Sequence, residues 1–284
     1  MKFSVGCSLA YRLAVPTPFV FNIEVANFGA QTIGKEQLEV MPAQPVERWI
    51  MPESGNRYFR IHAEPGTLRV RYTAAVDLSP AINDPETIDE VPAGALPFEV
   101  LTHLYPSRYC QSDKLKRFAT RTFGDLPPGY QRVNGICNWI CDNVDYVLGS
   151  SDELTSAFDT VTERAGVCRD FAHLGVALCR ALGIPARYVS AYAWRLDPPD
   201  FHAVFEAFLA GSNGTGWYLF DPTRMSAPDG LVRIGVGRDA AEVAFCSPYG
   251  DVESEPPEVW ITTDERDATE DLTTHAVRTE GPAA

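Results

Sequence analysis

The sequence predicts an α+β protein in which an N-terminal antiparallel β-sandwich precedes a domain of mixed helices and strands. Three observations carry that expectation. In residues 67–78, Leu68, Val70, Tyr72, Ala74, Val76 and Leu78 alternate with Thr67, Arg69, Arg71, Thr73, Ala75 and Asp77, the period of a strand with one buried and one wet face. The other apolar runs of the first hundred residues are short and divided by Pro- and Gly-bearing turns, with no helical spacing between them. Beyond Cys110 the apolar positions shift to helical intervals.

The composition is that of a globular chain: 284 residues, 45% hydrophobic and 22% charged. That is enough for a sizeable core and two domains. It excludes a disulfide-stapled miniprotein, a mostly disordered chain and a collagen-like fibre. With 24 Lys and Arg against 38 Asp and Glu, the net charge is −14. Such a surface repels phosphates, which argues against nucleic-acid and anionic-membrane partners. No stretch reaches the roughly 20 apolar residues of a membrane span. Seven cysteines, an odd count without repeated spacing, fit a reducing compartment, so a cytoplasmic protein is expected.

In chain order, Met1-Lys2-Phe3-Ser4-Val5-Gly6-Cys7 reads as a strand, since no hydrophobic stretch precedes Cys7 and Arg12 interrupts the apolar run after it. Strands are expected at 19–25, 38–41, 47–51 and 57–63 and then 67–78, giving a sandwich domain over 1–80. Asp84, Pro85, Glu86, Asp89, Glu90 and Pro92 mark 81–98 as an acidic linker. A second domain, 99–250, opens with a helix capped by Ser112 and carrying Leu115, Phe118 and Ala119. The next helix follows Pro127-Pro128-Gly129, with Val133, Ile136, Cys137, Ile140 and Val144 on one face. Thr155 opens a short third helix. Strands at 201–209 and 217–220 join around Asn213-Gly214, a hairpin signal. The final stretch, 251–284, sets ten acidic residues against Arg266 and Arg278 and reads as largely disordered, with one edge strand at 258–262.

The chemistry concentrates in Ala165-Gly166-Val167-Cys168-Arg169-Asp170-Phe171-Ala172-His173-Leu174. A helix begins at or just before Cys168: Phe171, Leu174, Leu178 and Ala181 share a face, Gly183 ends it, and Pro185 forbids continuation. Gly166 is read as giving the backbone freedom to turn into that helix. The first amides of a helix lack intrahelical partners, and the dipole adds about half a positive charge. Both features suit a reactive thiolate and could hold an oxyanion. Cys179, three turns along, reads as packing. Cys137 and Cys141 lie one turn apart but have no second Cys/His pair at zinc spacing, so neither metal nor cofactor is expected.

A nucleophile needs a base, and the base needs an orienting partner. His62, His103 and His275 lie in the β domain, beside the linker and in the acidic tail. His173 is five residues beyond Cys168 on the same helix, turned about 140° around its axis. His202 opens strand 201–209 and Asp221 closes the strand paired with it, so the two fall within one or two rungs. Asp221 could then hold one ring nitrogen and leave the other facing the thiol. The plainer alternatives are a satisfied strand histidine and an aspartate that initiates the turn at Pro222. The order Cys168, His202, Asp221 on helix start, strand and strand favours the catalytic set.

Two runs, Gly166-Val167-Cys168-Arg169-Asp170-Phe171-Ala172-His173 and Ala181-Leu182-Gly183-Ile184-Pro185-Ala186-Arg187-Tyr188-Val189-Ser190, resemble the core of the bacterial transglutaminase-like superfamily. Asp200-Phe201-His202-Ala203 and Phe220-Asp221-Pro222-Thr223 complete the pattern in order. Arg238-Asp239-Ala240 and Tyr105-Pro106-Ser107-Arg108-Tyr109 are similar to segments that flank it, so the resemblance covers about 100–250. The all-β start is similar to the N-terminal domain that accompanies this core in bacterial members. The resemblance implies a papain-like core with Cys168 as nucleophile, His202 as base and later acid, and Asp221 as orienter. It implies acyl transfer through a thioester to water or an amine. Bacterial relatives are often described as cysteine proteases, so hydrolysis of a peptide, protein or amide-containing small molecule is the expected reaction, with transamidation as the other acceptor chemistry. A non-catalytic binding or assembly protein retaining the fold is the alternative.

No cofactor is implied, and no EF-hand-type loop supports calcium activation. Val204 stands where the family often has Trp, which would alter one wall of a substrate tunnel. Tyr192, Trp194, Phe205 and Trp217 could line such a tunnel or fill the core. Tyr109 and Trp139 are candidates for a second oxyanion donor.

Overall fold

The computed structural model describes residues 1–265, 273 and 275–279. Six strands form the N-terminal half: β1 (Lys2–Leu13), β2 (Thr17–Phe21), β3 (Gln31–Met41), β4 (Glu47–Ile50), β5 (Arg57–Ala63) and β6 (Gly66–Leu78). β1 pairs with β6 from Lys2↔Asp77 to Leu13↔Gly66, and β6 pairs with β3 on its other side. β2, β5 and β4 belong to a second antiparallel sheet. The alternation read in β6 is its observed burial, with Leu68, Val70, Tyr72, Ala74, Val76 and Leu78 turned inward. They meet Phe19, Phe21, Phe59 and Ile61 of the facing sheet in one apolar core, which makes this half a β-sandwich.

The chain continues through β7 (Ala81–Asn83), β8 (Asp89–Glu90), α1 (Ser112–Phe123), α2 (Tyr130–Asn143), β9 (Asp145–Tyr146), α3 (Ala157–Glu163), β10 (Ala165–Gly166) and α4 (Cys168–Ala181). Then come β11 (Ala186–Ala193), β12 (Phe201–Gly211), β13 (Gly214–Phe220), β14 (Leu231–Gly237), β15 (Cys246–Pro248), β16 (Val252–Ser254), β17 (Glu258–Thr262) and β18 (Ala276–Arg278). Ser112 is the first residue of α1 rather than its cap; Gln111 holds the cap position without a side-chain hydrogen bond. The central sheet runs β14-β11-β12-β13-β18-β7. α4 packs on it closely: a Cβ at Gly175 would lie 2.4 Å from the Phe205 ring. Leu115, Ile136, Ile140, Leu174 and Leu178 close the core between the helices and that sheet. Among the described residues, no helix is long and apolar enough to cross a membrane.

The limits expected at 80, 98 and 250 do not separate structural units. β15 pairs with β2, and β16 and β17 pair with β1, so the chain beyond Phe245 returns to complete the sandwich. The stretch expected as a linker supplies β8 against β12 and β7 against β18. In the stretch expected as disordered, β18 pairs with β13, and the Arg278 guanidinium donates to Asn213 O (3.1 Å) and Thr215 O (2.7 Å). Acidic composition reports where side chains point; strand pairing uses the backbone, which an exposed carboxylate leaves free. The rest of the expected disorder, at 266–272, 274 and 280–284, lies outside the described residues.

β14 is the edge of the central sheet, and two side chains of the sandwich cover it. Gln31 Nε2 donates to Arg233 O (2.9 Å) while its Oε1 accepts from Arg233 N–H (2.9 Å). Asn56 Nδ2 donates to Val236 O (2.7 Å) while its Oδ1 accepts from Val236 N–H (2.9 Å). Both amides are only 1% exposed, and each replaces one peptide of a missing neighbour strand. Tyr192, Trp194, Phe201, Val232 and Ile234 of the second half also enter the sandwich core. One cooperative urea transition is therefore expected for the whole chain by near- and far-ultraviolet dichroism. Asn56→Ala, which strands a buried N–H and C=O, should lower stability by about 2 kcal/mol. Two resolved wild-type transitions would contradict the shared core.

Candidate active site

α4 delivers Cys168 at its first turn. Val167 before it is extended (φ −117°, ψ −177°), and the buried Asp170 carboxylate accepts from Val167 N–H at 2.9 Å, the side-chain half of a capping box. Gly166 is not among the residues with positive φ. Its constraint is space rather than freedom to turn, since a Cβ there would stand 2.7 Å from Asp170 Cβ. The Arg169 guanidinium turns to Ser151 Oγ and Asp152 O, tying loop 147–156 to the helix start.

β12 and β13 supply the other two residues. Their ladder ends with Phe205 opposite Phe220; Asp221 follows Phe220 directly, and His202 lies three residues before Phe205, past Val204 and Ala203. His202 Nε2 and Asp221 Oδ2 lie 3.0 Å apart, both residues 1% exposed. Asp221 Oδ1 also accepts from Thr223 N–H (2.9 Å) and Oγ1 (2.7 Å). Its Oδ2 accepts from Ser226 N–H (3.1 Å) and Oγ (2.6 Å). Arg224 inside this turn is left-handed (φ 59°), and its guanidinium is anchored on the Asn134 and Asn138 side-chain carbonyls. Sequence reasoning missed the roles of Thr223 and Ser226. The signal was present, because Asp-Pro-Thr-x-x-Ser places two hydroxyl residues where a turn folds back on its own aspartate.

Burial opposes charge on both groups and is the largest single influence on each. It is outweighed. The Asp221 charge and hydrogen bond, then the Cys168 thiol, push His202 up to about 10. The His202 charge and hydrogen bond, then Ser226 and Thr223, hold Asp221 well below the usual carboxylate range. At neutral pH the pair is an imidazolium on a carboxylate. His202 Nδ1 has no hydrogen-bond partner among the described residues. It is the ring nitrogen left free to face Cys168, which is among the groups that raise the ring's proton affinity. The fold thus brings Cys168, His202 and Asp221 together.

Cys168 is partly exposed and borders an open groove of about 760 Å³. Leu9 and Tyr11 of β1 form one wall, Tyr188 and Phe201 of the central sheet another, and Val243 and Phe245 a third. A hollow of about 630 Å³ behind Asp221, lined by Tyr130, Asn134 and Arg224, does not reach the thiol. An enclosed void of about 10 Å³ beside Phe28 and Arg233 is too small for a substrate.

The remaining expectations divide clearly. His173 is a core residue: burial pushes it down to about 3, its Nε2 accepts from Ala240 N–H (3.1 Å), and its ring lies between Tyr109 and Tyr188. Tyr109 borders the groove, but its hydroxyl is committed to Glu153 O at 2.7 Å. Trp139 meets Phe118 and Phe123 edge-on beneath the Arg164 guanidinium and does not line the groove. Tyr192, Trp194, Phe205 and Trp217 are buried in the cores and are not groove residues. Val204 is fully buried between Val189 and Leu219, so that position concerns sheet packing rather than a substrate wall.

Residues 116–222 match the family described as "Transglutaminase-like superfamily", and residues 1–99 match "Bacterial transglutaminase, N-terminal domain". A solved structure described as "a Putative Cysteine Protease from Cytophaga hutchinsonii" is 42% identical, covers 98% of this chain and 97% of that one, and superposes with a TM-score of 0.91. An uncharacterized protein of Mycobacterium leprae is 34% identical over 120 residues, 39% of this chain and 42% of that protein. An uncharacterized protein of Mycobacterium tuberculosis is 28% identical over 210 residues. The chain spans 42% and 66% of the lengths of these mycobacterial relatives. Its architecture, shared along almost the entire length with a 42% identical structure, places the chain in the transglutaminase-like superfamily.

Proposed function

We propose that the chain is a cysteine-dependent amide hydrolase working through a thioester, with Cys168 as nucleophile, His202 as acid and base, and Asp221 as orienter. One observation carries this: a buried imidazole held at 3.0 Å by a carboxylate, its other nitrogen left to the thiol that borders the groove. The Cys168 sulfur, as the thiolate paired with the imidazolium, attacks the amide carbonyl, and the proton on His202 Nδ1 passes to the departing nitrogen as the C–N bond breaks. A water then attacks the thioester, gives its proton to Nδ1, and releases the acid. Asp221 keeps Nε2 engaged throughout, so the ring cannot rotate its acid nitrogen away.

Water as the acceptor is supported by the groove. Amine transfer requires a thioester shielded from solvent, whereas this groove is open and the aromatics that could roof a tunnel are in the core. Peptides, proteins and amide-containing small molecules are the candidate substrates. All seven cysteines are free, which supports a reducing, cytoplasmic setting.

Iodoacetamide at neutral pH should label Cys168 ahead of the other six cysteines, and labelling should slow in His202→Ala. Uniform labelling, or labelling only after unfolding, would sink the reading. A Gln-containing peptide should release ammonia without incorporating an added primary amine, and His202→Ala should lower that turnover on the order of 10³-fold. A crosslinked product would instead assign the acceptor as an amine.

The ion pair has its own signature. His202 is raised, so its contribution to stability is complete below about pH 6.5 and fades as pH climbs toward about 10. Asp221 is lowered, so its contribution is complete above about pH 4 and fades as pH falls through its depressed value. Stability from the pair is therefore greatest between roughly pH 4 and 6.5. By NMR, the His202 ring should remain protonated until about pH 10. In Asp221→Asn burial prevails, and the ring should titrate below the ordinary value of about 6.5. Wild-type titration near neutrality would contradict the pair.

A further inference from the structure

When an amide is cleaved through a thioester, only its acyl half stays on the sulfur; the nitrogen half takes a proton from the base and departs. Cys168 lines the groove, whereas His202, 1% exposed, does not. The groove is therefore the space beside the acyl group. At about 760 Å³ it falls within the roughly 300–1,000 Å³ of pockets that enclose small ligands.

Its floor is apolar and already rigid. Leu9 and Tyr11 reach it from β1, Phe201 from β12 and Phe245 from the segment after β14. The Phe245 ring stacks on Phe201 with centroids 4.1 Å apart, and Tyr11 packs on Phe19 at 5.1 Å. Leu9, Tyr11 and Phe201 are held by the sandwich core, so they lose little freedom when a ligand settles on them. The charged lining residues are Glu153, Asp200, Glu255 and Arg169. Because the guanidinium is engaged by Ser151 and Asp152, an anionic acyl group meets three carboxylates and a cation already committed.

Tyr188 adds one polar point. It is 3% exposed, lines the groove and packs with Ala203 and Val243 beside Cys168. Its hydroxyl has no hydrogen-bond partner among the described residues, while the Tyr109 hydroxyl on the same groove is spent on Glu153 O. A buried donor without an acceptor is costly, and a ligand carbonyl in the groove would relieve it.

We propose that the groove selects a peptidyl acyl group with a large apolar side chain. The side chain lies on Leu9, Tyr11, Phe201 and Phe245, and the carbonyl on the nitrogen side of that residue accepts from the Tyr188 hydroxyl. This rests on the thioester reading above. Two of the four floor residues come from β1, so the N-terminal sandwich is a specificity element of the site.

The test compares the p-nitrophenyl esters of N-acetylphenylalanine, N-acetylglycine and 3-phenylpropionic acid, each read as kcat/KM above the Cys168→Ala background. In wild type the phenylalanyl ester should exceed the glycyl ester about 30-fold, as for a side chain mostly removed from water. In Phe245→Ala that preference should fall about fivefold. Tyr188→Phe keeps the ring and loses the donor, so the phenylalanyl ester should slow about fivefold relative to the 3-phenylpropionyl ester, which lacks the acceptor carbonyl. Each reading is a ratio of two esters on one protein, so a smaller folded fraction leaves it unchanged. Equal phenylalanyl and glycyl rates in wild type would overturn the proposal. A full preference in Phe245→Ala would overturn the floor, and an unaltered ratio in Tyr188→Phe would overturn the role of the hydroxyl. Wild type no faster than Cys168→Ala on any ester would defeat the thioester reading itself, and the proposal with it.

Discussion

A carboxylate buried to 1% exposure is costly unless its lone pairs are met by donors and its charge by a counter-charge. Asp221 meets both demands in two steps. Its own turn comes first, through the N–H and hydroxyl groups of Thr223 and Ser226. These donors lie within five residues, so the ionised state is secured locally before any distant group docks. Oδ2 then also accepts a hydrogen bond from His202 Nε2. From that bond follow the ring's orientation, its retained proton and the availability of Nδ1 to sulfur. Protonation at the site is thus a consequence of how a short turn solvates one acid.

The central sheet and the sandwich convert this pair into a site with a surface. α4 lies close on β12 because Gly175 leaves room for Phe205, which sets the height of the thiol above the imidazole strand. Gln31 and Asn56 then lock the sandwich against β14. Leu9 and Tyr11 consequently face the groove from across the seam. The buried Arg180 joins the flanks, donating to Tyr105 O, Ser107 Oγ and Arg238 O. The separate sequence segments 105–109 and 238–240 are therefore one feature in space, and the N-terminal half is part of the groove rather than an appendage beside it.

How much was legible follows from how each element is buried. β6 has one wet face, so its alternation was plain. β11 and β14 are buried on both faces or nearly so, lack any alternation, and left no periodic trace. β7, β8 and β18 are two or three residues long, too short for a pattern, and their acidic neighbours disguised them as linker and tail. Gly166 was noticed for the wrong reason, because a sequence shows that glycine is present but not whether φ or a neighbour's Cβ requires it.

Chain order and local periodicity alone determined that Cys168 heads a helix and that His202 and Asp221 close the same end of one hairpin. These are short-range facts, fixed by 3.6- and 2-residue repeats and by a turn. Only the folded whole decided that the helix start meets the hairpin on its Nδ1 side, that water is excluded from the ion pair, and that two halves share one groove. Proton affinity and enclosure sum contributions from elements far apart in the chain, so they exist only once those elements have packed.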